Sequence, residues 1–468
     1  MKQFAKKSLV LFIVLFFTAT LSAKTPKYIF YCIGDGMSFA HVMATQLFYE
    51  NGNYEDGNES LVFLDFPVRS AIRTHANNSL ITCSAAAGTA LATGHKTNLT
   101  HIGIDPDKQP LTSVAKQLRD KGYAIGIITS GQLDDATPAA FYAGQMRNDT
   151  YQIGKEGADS QFDFLAGSTL MKPFNRRDPS QPYIYDYYRQ KGYTVCRGTE
   201  GYNSKKNADK ILLVDTDTTL KKWLPYVIER EPGKLGLEFM VQAGIEKLYK
   251  KKNKKGFFMM IEGASIDHAS HPRDIATAIK ETIEFDRSVR LAYEFYKKHP
   301  DETLIIVTAD HETGGLTIGE TTTHPFNWEY VNYQKMSKES LSKLFQKMRE
   351  TGEIDTWEKT KKILAENTGL WDKIPVNAGE EAQLMQCYYE TIVKKNSKQE
   401  ITLYAKSEPL VADAIALLNK KIGVGWTSFS HTGGFVPFYA IGCQARQFGA
   451  LNDNIEIPNT IRKIMKIK

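Results

Sequence analysis

Several protein classes are excluded by what the chain has little of. Only five cysteines occur in 468 residues, too few for a disulfide framework, and the odd number leaves at least one unpaired. No apolar run reaches the ~20 residues of a membrane-spanning helix; the run from Leu9 to Phe17 falls well short. Neither charge dominates, with 59 Lys+Arg against 53 Asp+Glu and a formal net charge of +6. The densest basic run, Lys250 to Lys255, reads as a solvated surface loop, so no electrostatic footprint marks nucleic acid as a specific partner. Internal repeats and low-complexity tracts are missing, which leaves no basis for a structural or adhesive surface protein. What remains is a globular composition, 42% hydrophobic and 24% charged, with a sizeable core. At ~100–200 residues per domain, the length allows one large α/β domain with an insertion, or two to three domains.

Residues 1–23 join a basic start (Lys2, Lys6, Lys7) to the apolar run and to the small residues Ser22 and Ala23 before Lys24. This is the pattern of a secretory signal peptide. Cleavage near Ala23 is expected, giving a secreted or periplasmic protein with no membrane segment in its mature form. The mature charge is then 6 − 3 = +3, and no cysteine stands at the cleavage point to take a lipid.

Short β-rich runs recur at Tyr28–Ile33, Tyr123–Thr129, Lys210–Val214, Phe257–Ile261, Leu304–Thr308 and Val436–Ile441, separated by helical patterns such as Leu111–Lys121 and Leu237–Lys250. The alternation predicts an α/β fold with a mainly parallel central sheet and helices on both faces. Residues 24–468 are read as one catalytic domain. Within it, 321–425 is a mostly helical, charged insertion or cap before the last histidine motif, with Trp328, Trp357 and Trp371 packing its helices. In open sheets of this kind, ligands bind at the carboxyl ends of the strands.

Acids stand at those exits. Asp35 follows Ile33-Gly34, Glu262 and Asp267 follow the run at Phe257, and Asp310 follows the run at Leu304. A single such acid is as readily a helix cap, but two of the exits also carry His directly after Asp. Of only ten histidines, His268, His271, His311 and His431 lie beside acids or in Gly-rich contexts, the composition of a metal site. One helical turn brings Asp267 and His271 to one face. Histidine nitrogen with carboxylate oxygen suits zinc, whereas oxygen-only donors such as Glu262 with a threonine hydroxyl suit magnesium. Ser84, in Cys83-Ser84-Ala85-Ala86-Ala87-Gly88, is either an N-cap, with a helix starting directly after it, or a nucleophile whose developing charge a helix N-terminus stabilises.

Asp35 in IGDGM, Ser84 in SAAAGTALATG, Thr137 in DDATPAAFYA, IEGASIDHASH, VTADH and SHTGG occur in the order found in alkaline phosphatases, and the chain resembles that family over nearly all its mature length except the insertion. The resemblance implies a metal-dependent phosphomonoesterase with two Zn2+ and one Mg2+. It assigns the first zinc to Asp267, His271 and His431, and the second to Asp35, Asp310 and His311. Magnesium falls to Asp35, Thr137 and Glu262, with waters oriented by Asp135 rather than by the adjacent Asp134. Ser84 becomes the nucleophile of a two-step reaction through phosphoserine. Arg147 binds two phosphate oxygens, and His268 holds phosphate directly or through water. Small phosphate monoesters are the implied substrates, an alkaline pH optimum is implied, and a homodimer is a candidate assembly because many relatives are dimers.

The chain departs from the family pattern at Cys83, where an aspartate ordinarily steadies the arginine, and Arg147 follows Asp135 by 147 − 135 = 12 residues, one fewer than the family spacing. A thiol makes no ion pair, so a loosely held Arg147 is expected. Sulfatases of the superfamily use a cysteine, but with a proline and an arginine just downstream that are missing here. The alternatives are a phosphodiesterase of the superfamily, against which Thr137 and Glu262 argue, and a non-catalytic exported protein that binds metal or phosphate. Pairing of Cys32 with Cys83 stays open.

Overall fold

Runs of bulky apolar residues form the central strands of one nine-stranded sheet. Its strands are β1 (Tyr28–Gly34), β2 (Val68–Ile72), β3 (Ala124–Thr129), β4 (Phe164–Ala166), β5 (Tyr193–Arg197), β6 (Lys210–Val214), β7 (Phe257–Gly263), β8 (Thr303–Ala309) and β9 (Val436–Gly442), ordered β2-β9-β8-β1-β7-β3-β4-β6-β5. The computed structural model describes residues 24–51, 60–217, 223–251, 253–319, 326–396 and 398–467. The leader, residues 1–23, lies outside them. Strands β1, β7 and β8 are buried along their whole length. Both faces of the sheet are covered, so these strands read as continuous apolar sequence rather than alternation.

Every pairing in the sheet is parallel except those of β9, which runs against both β8 and β2. The expected mainly parallel sheet is therefore present, with β9 reversed. Register matters for the site. Gly34 at the end of β1 lies opposite Gly263 of β7 and Ala309 of β8, so three strands end at one level. Asp35 and Asp310 follow directly on β1 and β8, while β7 carries Glu262 as its second-last residue and Asp267 four residues beyond its end.

The helix Ser84–Thr93 is buried at all ten positions. Its alanines and Gly88 let it close on the turn Ala136–Ala139; a side chain at Gly88 would meet the Thr137 backbone at 3.2 Å. The long helix Ile275–Lys298 is capped by Asp274, whose carboxylate accepts the Thr277 N–H (3.2 Å). The same carboxylate accepts the Lys338 N–H (2.7 Å) and the Gln334 amide (2.9 Å). One buried acid thus joins the sheet-packing helix to the segment after residue 326.

That segment is helical at Lys338–Thr351, Trp357–Thr368, Ala378–Tyr388 and Pro409–Ile422. Ser337, Thr356 and Asn377 start the first three through side-chain caps. Trp328 and Trp357 are buried, Trp357 and Trp371 meet edge-on at 6.0 Å, and all three pack the helices as expected. A short hairpin, Glu400–Ile401 with Lys406–Ser407, returns the chain toward the sheet. In the basic run near residue 250, Lys251 departs from a solvated role and pairs with Asp163 (2.5 Å) and Asp209 (2.9 Å). All five cysteines are free, so Cys32 and Cys83 do not pair. No described helix is long and apolar enough to cross a membrane.

Candidate active site

The three level strand ends bring distant residues together. Ligand atoms of Asp35, Asp310 and His311 lie within 4.8 Å of one another, as do those of Asp267, His311 and His431. His311 belongs to both groups. Its Nε2 is 3.1 Å from Asp310 Oδ2 and 3.5 Å from Asp35 Oδ1, and its ring stacks on His431 at 3.6 Å between centroids. The expected helical turn holds: Asp267 lies in the helix Ser265–Ser270, His271 follows at its end, and Oδ2 and Nε2 are 3.4 Å apart. Gly36 has φ +73°, and a side chain there would stand 2.9 Å from Asp267 Oδ1. Only glycine lets the turn after Asp35 approach this closely.

Backbone carbonyls orient two of the imidazoles. His271 Nδ1 faces the Phe429 carbonyl (2.6 Å), and His431 Nδ1 faces that of Thr82 (2.9 Å). A carbonyl only accepts, so each Nδ1 carries a proton and each ring turns its Nε2 into the site. Those two Nε2 atoms face each other at 3.3 Å. Asp35 Oδ1, Asp267 Oδ2 and Asp310 Oδ2 are buried and accept no hydrogen bond. Buried acceptors normally find donors. Converging lone pairs on nitrogen and oxygen are a donor set that fits cations, with the nitrogen-containing groups of the kind zinc takes.

Electrostatics agree with that reading. Burial, then the charges of Asp310, Asp267 and Glu262, push the Asp35 carboxyl well above its usual range. Burial and Asp267 raise Asp310 to about 7, and burial raises Glu262 to about 8. Burial also acts on Asp267, but His271, His431 and His311 around it outweigh this and hold it well below the carboxylate range. Burial, with His431 beside it, lowers the His311 imidazole well below its ordinary value.

Ser84 is the first residue of its helix, not the residue before it, and Cys83 occupies the cap position without a side-chain bond. The Ser84 hydroxyl instead meets His311 Nε2 at 3.2 Å, which sets aside the N-cap alternative. The loose Arg147 expected from Cys83 is not found. Its guanidinium donates to Asp135 Oδ1 (3.0 Å) and to the Tyr404 hydroxyl (3.3 Å), while Cys83 Sγ accepts the Thr100 N–H at 3.4 Å. Asp135 supplies the carboxylate that position 83 lacks. Asp134 turns away and accepts the Met171 N–H at 2.9 Å. Thr137 lies beside Asp35, its hydroxyl 3.4 Å from Oδ2.

Four further residues have no counterpart in the sequence reading. Thr129 donates its hydroxyl to Glu262, and Thr313 donates to Asp267. Trp223 and Tyr404 enclose His268, with ring centroids at 4.0 and 4.5 Å, and leave its buried Nδ1 without a partner. Tyr404 also packs on His271 (5.1 Å) from the hairpin beyond residue 400.

With the geometry in place, the comparisons with known proteins agree. The chain matches the alkaline phosphatase family over residues 26–165 and 200–467. It is 31% identical to alkaline phosphatase 4 of Bacillus subtilis over 93% of this chain and 87% of the relative. Alkaline phosphatase 3 of the same organism is 28% identical over 94% and 89%. The cold-active alkaline phosphatase of a psychrophilic Shewanella species superposes with a TM-score of 0.75 at 26% identity, covering 94% of this chain and 99% of that one. The Thermus thermophilus alkaline phosphatase shares the fold, with a TM-score of 0.78 at 23% identity over 95% and 92%. These likenesses define a hydrolase of the phosphatase type. The chain belongs to the alkaline phosphatase family, whose members act on small phosphate monoesters.

Proposed function

We propose that the protein is an exported phosphomonoesterase that works through a phosphoserine at Ser84, with two zinc ions and one magnesium ion. The observation that carries this reading is Ser84 at the start of a buried helix, 3.2 Å from His311, whose ring stands beside buried carboxylate oxygens that accept no hydrogen bond. Asp267, His271 and His431 would hold the first zinc, and Asp35, Asp310 and His311 the second. Asp35, Thr137 and Glu262 would hold magnesium, an oxygen-only set, with Asp135 orienting its waters. When bound, the ions supply Lewis-acid chemistry, lowering hydroxyl pKa values and neutralising phosphoryl charge.

The chain's own groups do the rest. Ser84 Oγ attacks phosphorus, the ester P–O bond breaks, and the alcohol leaves with a proton. Water then cleaves the Ser84–phosphate bond and releases inorganic phosphate. The helix N-terminus favours negative charge at Ser84 and on the phosphoryl oxygens. Arg147, held by Asp135 and Tyr404, grips two phosphate oxygens through its planar fork. His268, fixed between two rings, offers a nitrogen to the phosphate. The segment 321–425 acts as a cap that contributes Tyr404, within a single catalytic domain spanning 24–468. Removal of residues 1–23 would accompany export.

The test is to purify the chain from Lys24 onward and assay a monoester, a diester and a sulfate ester before chelation, after it, and after adding zinc with magnesium. Monoester preference restored by both metals is expected. Metal-dependent diester preference would change the substrate class, and no hydrolysis at full metal occupancy would leave a binding protein.

A further inference from the structure

Both histidines assigned to the first zinc depend on one surface segment, residues 427–435. His431 lies on it, and its side chain is 10% exposed, the most of any donor assigned to either zinc. Phe429 supplies the carbonyl that meets His271 Nδ1. Thr427, Ser430 and Gly433 to Phe435 are exposed. The donors assigned to the second zinc, Asp35, Asp310 and His311, come instead from the ends of β1 and β8.

The segment is tied down on two sides. Toward the exit of β8, the Gly314 carbonyl accepts the Thr427 and Ser428 N–H groups (3.1 and 3.0 Å), the Gly314 N–H donates to the Ser430 carbonyl (3.0 Å), and the buried Glu312 carboxylate accepts the Thr432 hydroxyl. Toward the helix of Asp267, the tie that accompanies the His271 bond is Arg273. Its Nε donates to the Ser428 carbonyl (3.1 Å), and its guanidinium lies 3.4 Å from the centre of the Phe429 ring.

Arg273 follows His271 by two residues and has φ +61°, a left-handed backbone that persists in a residue with a Cβ where its surroundings enforce it. Here they do. The Pro272 carbonyl accepts the Lys338 ammonium (2.8 Å), and the Arg273 carbonyl accepts the Asn419 amide (2.7 Å), so helices Lys338–Thr351 and Pro409–Ile422 both pin this turn. Glycine adopts the same conformation freely. What arginine adds is a side chain that reaches the segment of His431.

Resting on the two-zinc reading, we propose that Arg273 is a positioning residue for the first zinc. Through Ser428 and Phe429 it holds both the carbonyl that orients His271 and the segment that carries His431, and so sets how slowly that ion leaves without touching it. The second zinc and magnesium do not depend on it. Groups that orient metal ligands typically change affinity by about 10–100-fold, and Arg273, which acts through the backbone, falls at the low end.

The experiment follows zinc release from the zinc- and magnesium-loaded enzyme into excess 4-(2-pyridylazo)resorcinol by absorbance. The phase missing from His431→Ala marks the first zinc. Arg273→Gly, which suits the backbone and removes the side chain, is expected to speed that phase about tenfold and to leave the other phase unchanged. Arg273→Lys, which keeps a cation near the ring, should fall between the parent and the glycine variant. Phe429→Leu keeps the carbonyl but removes the ring, and should speed the same phase about threefold; it decides the matter if Arg273→Gly does not fold. An unchanged first phase, or equal acceleration of both phases, overturns the role of Arg273 while the two-zinc reading stands. A parent that holds no zinc after loading, or a His431→Ala enzyme that keeps both phases, overturns that reading as well.

Discussion

Replacing Tyr404 by Phe removes one oxygen and tests how Arg147 is held. The ring stays against His268 and His271, so packing is conserved. Lost is the acceptor 3.3 Å from Arg147 Nη2, while Asp135 remains on the same nitrogen at 3.0 Å. Hydrogen bonds to charged groups contribute about 1.5–3 kcal/mol, and the long contact with a shared donor places this one at the low end, about 1.5 kcal/mol or about tenfold. The expected result is an inhibition constant for inorganic phosphate raised about tenfold. kcat/KM for a monoester should fall by a similar factor with kcat little changed, because the arginine grips phosphate in both ground and transition states. Burial holds the Tyr404 phenol well above its ordinary value of 10.0, with Arg147 opposing. The hydroxyl therefore stays protonated, and the ratio of parent to variant should be flat from about pH 7 to 10. Asp135→Asn, which removes the ionic partner, should cost more. The reasoning is refuted by a change in phosphate inhibition under twofold, or by a loss that emerges only at the alkaline end.

Ser84→Ala should yield no labelled phosphoenzyme yet retain its metals by elemental analysis; a persisting phosphoenzyme would place the nucleophile elsewhere. Asp35→Ala should lower metal content more than Asp310→Ala, because Asp35 neighbours both Asp310 with His311 and Thr137; equal content in the two variants would remove its bridging role. Away from the site, burial with Glu284 nearby pushes Glu281 from 4.5 up to about 8. Between those values the folded chain keeps a proton that the unfolded chain has released, so this group makes stability fall as pH rises. Glu281→Gln, still able to accept the Val227 N–H, should raise Tm above the parent's at pH 8.5 and match it at pH 5. The same Tm difference at both values would show that the carboxyl is not held protonated.

The metal-donor residues were legible because their local chemistry is unusual. An apolar strand that ends in glycine and an acid, or in Asp-His, has few structural explanations, and the order of such motifs carried the family. Ordinary residues were not legible. Thr129 and Thr313 are common strand and turn residues, and only folding brings their hydroxyls to Glu262 and Asp267. Tyr404 lies in a short hairpin whose sequence says nothing of Arg147, 257 residues away. For the same reason Cys83 misled: the missing ion pair is supplied by Asp135, which its spacing to Thr137 had marked for magnesium. In the fold, the long central strands were visible, whereas β4 has three residues, β5 lies at an edge, and β2 mixes buried with exposed positions. The reversal of β9 depends on its partners and leaves no local mark.

The converging donors run from Asp35 to His431, a span of 431 − 35 = 396 residues. No fragment of the chain can carry the site, and its closure belongs to the slow, non-local part of folding. During biosynthesis β1 and β8 have to find each other before Asp35 and Asp310 meet, and His431 joins later still. Whatever the clusters bind is captured by a nearly finished molecule, so retention of that ligand and global stability rise and fall together. A mutation anywhere in the sheet that loosens the register of β1 with β8 should therefore register first as a leaking site.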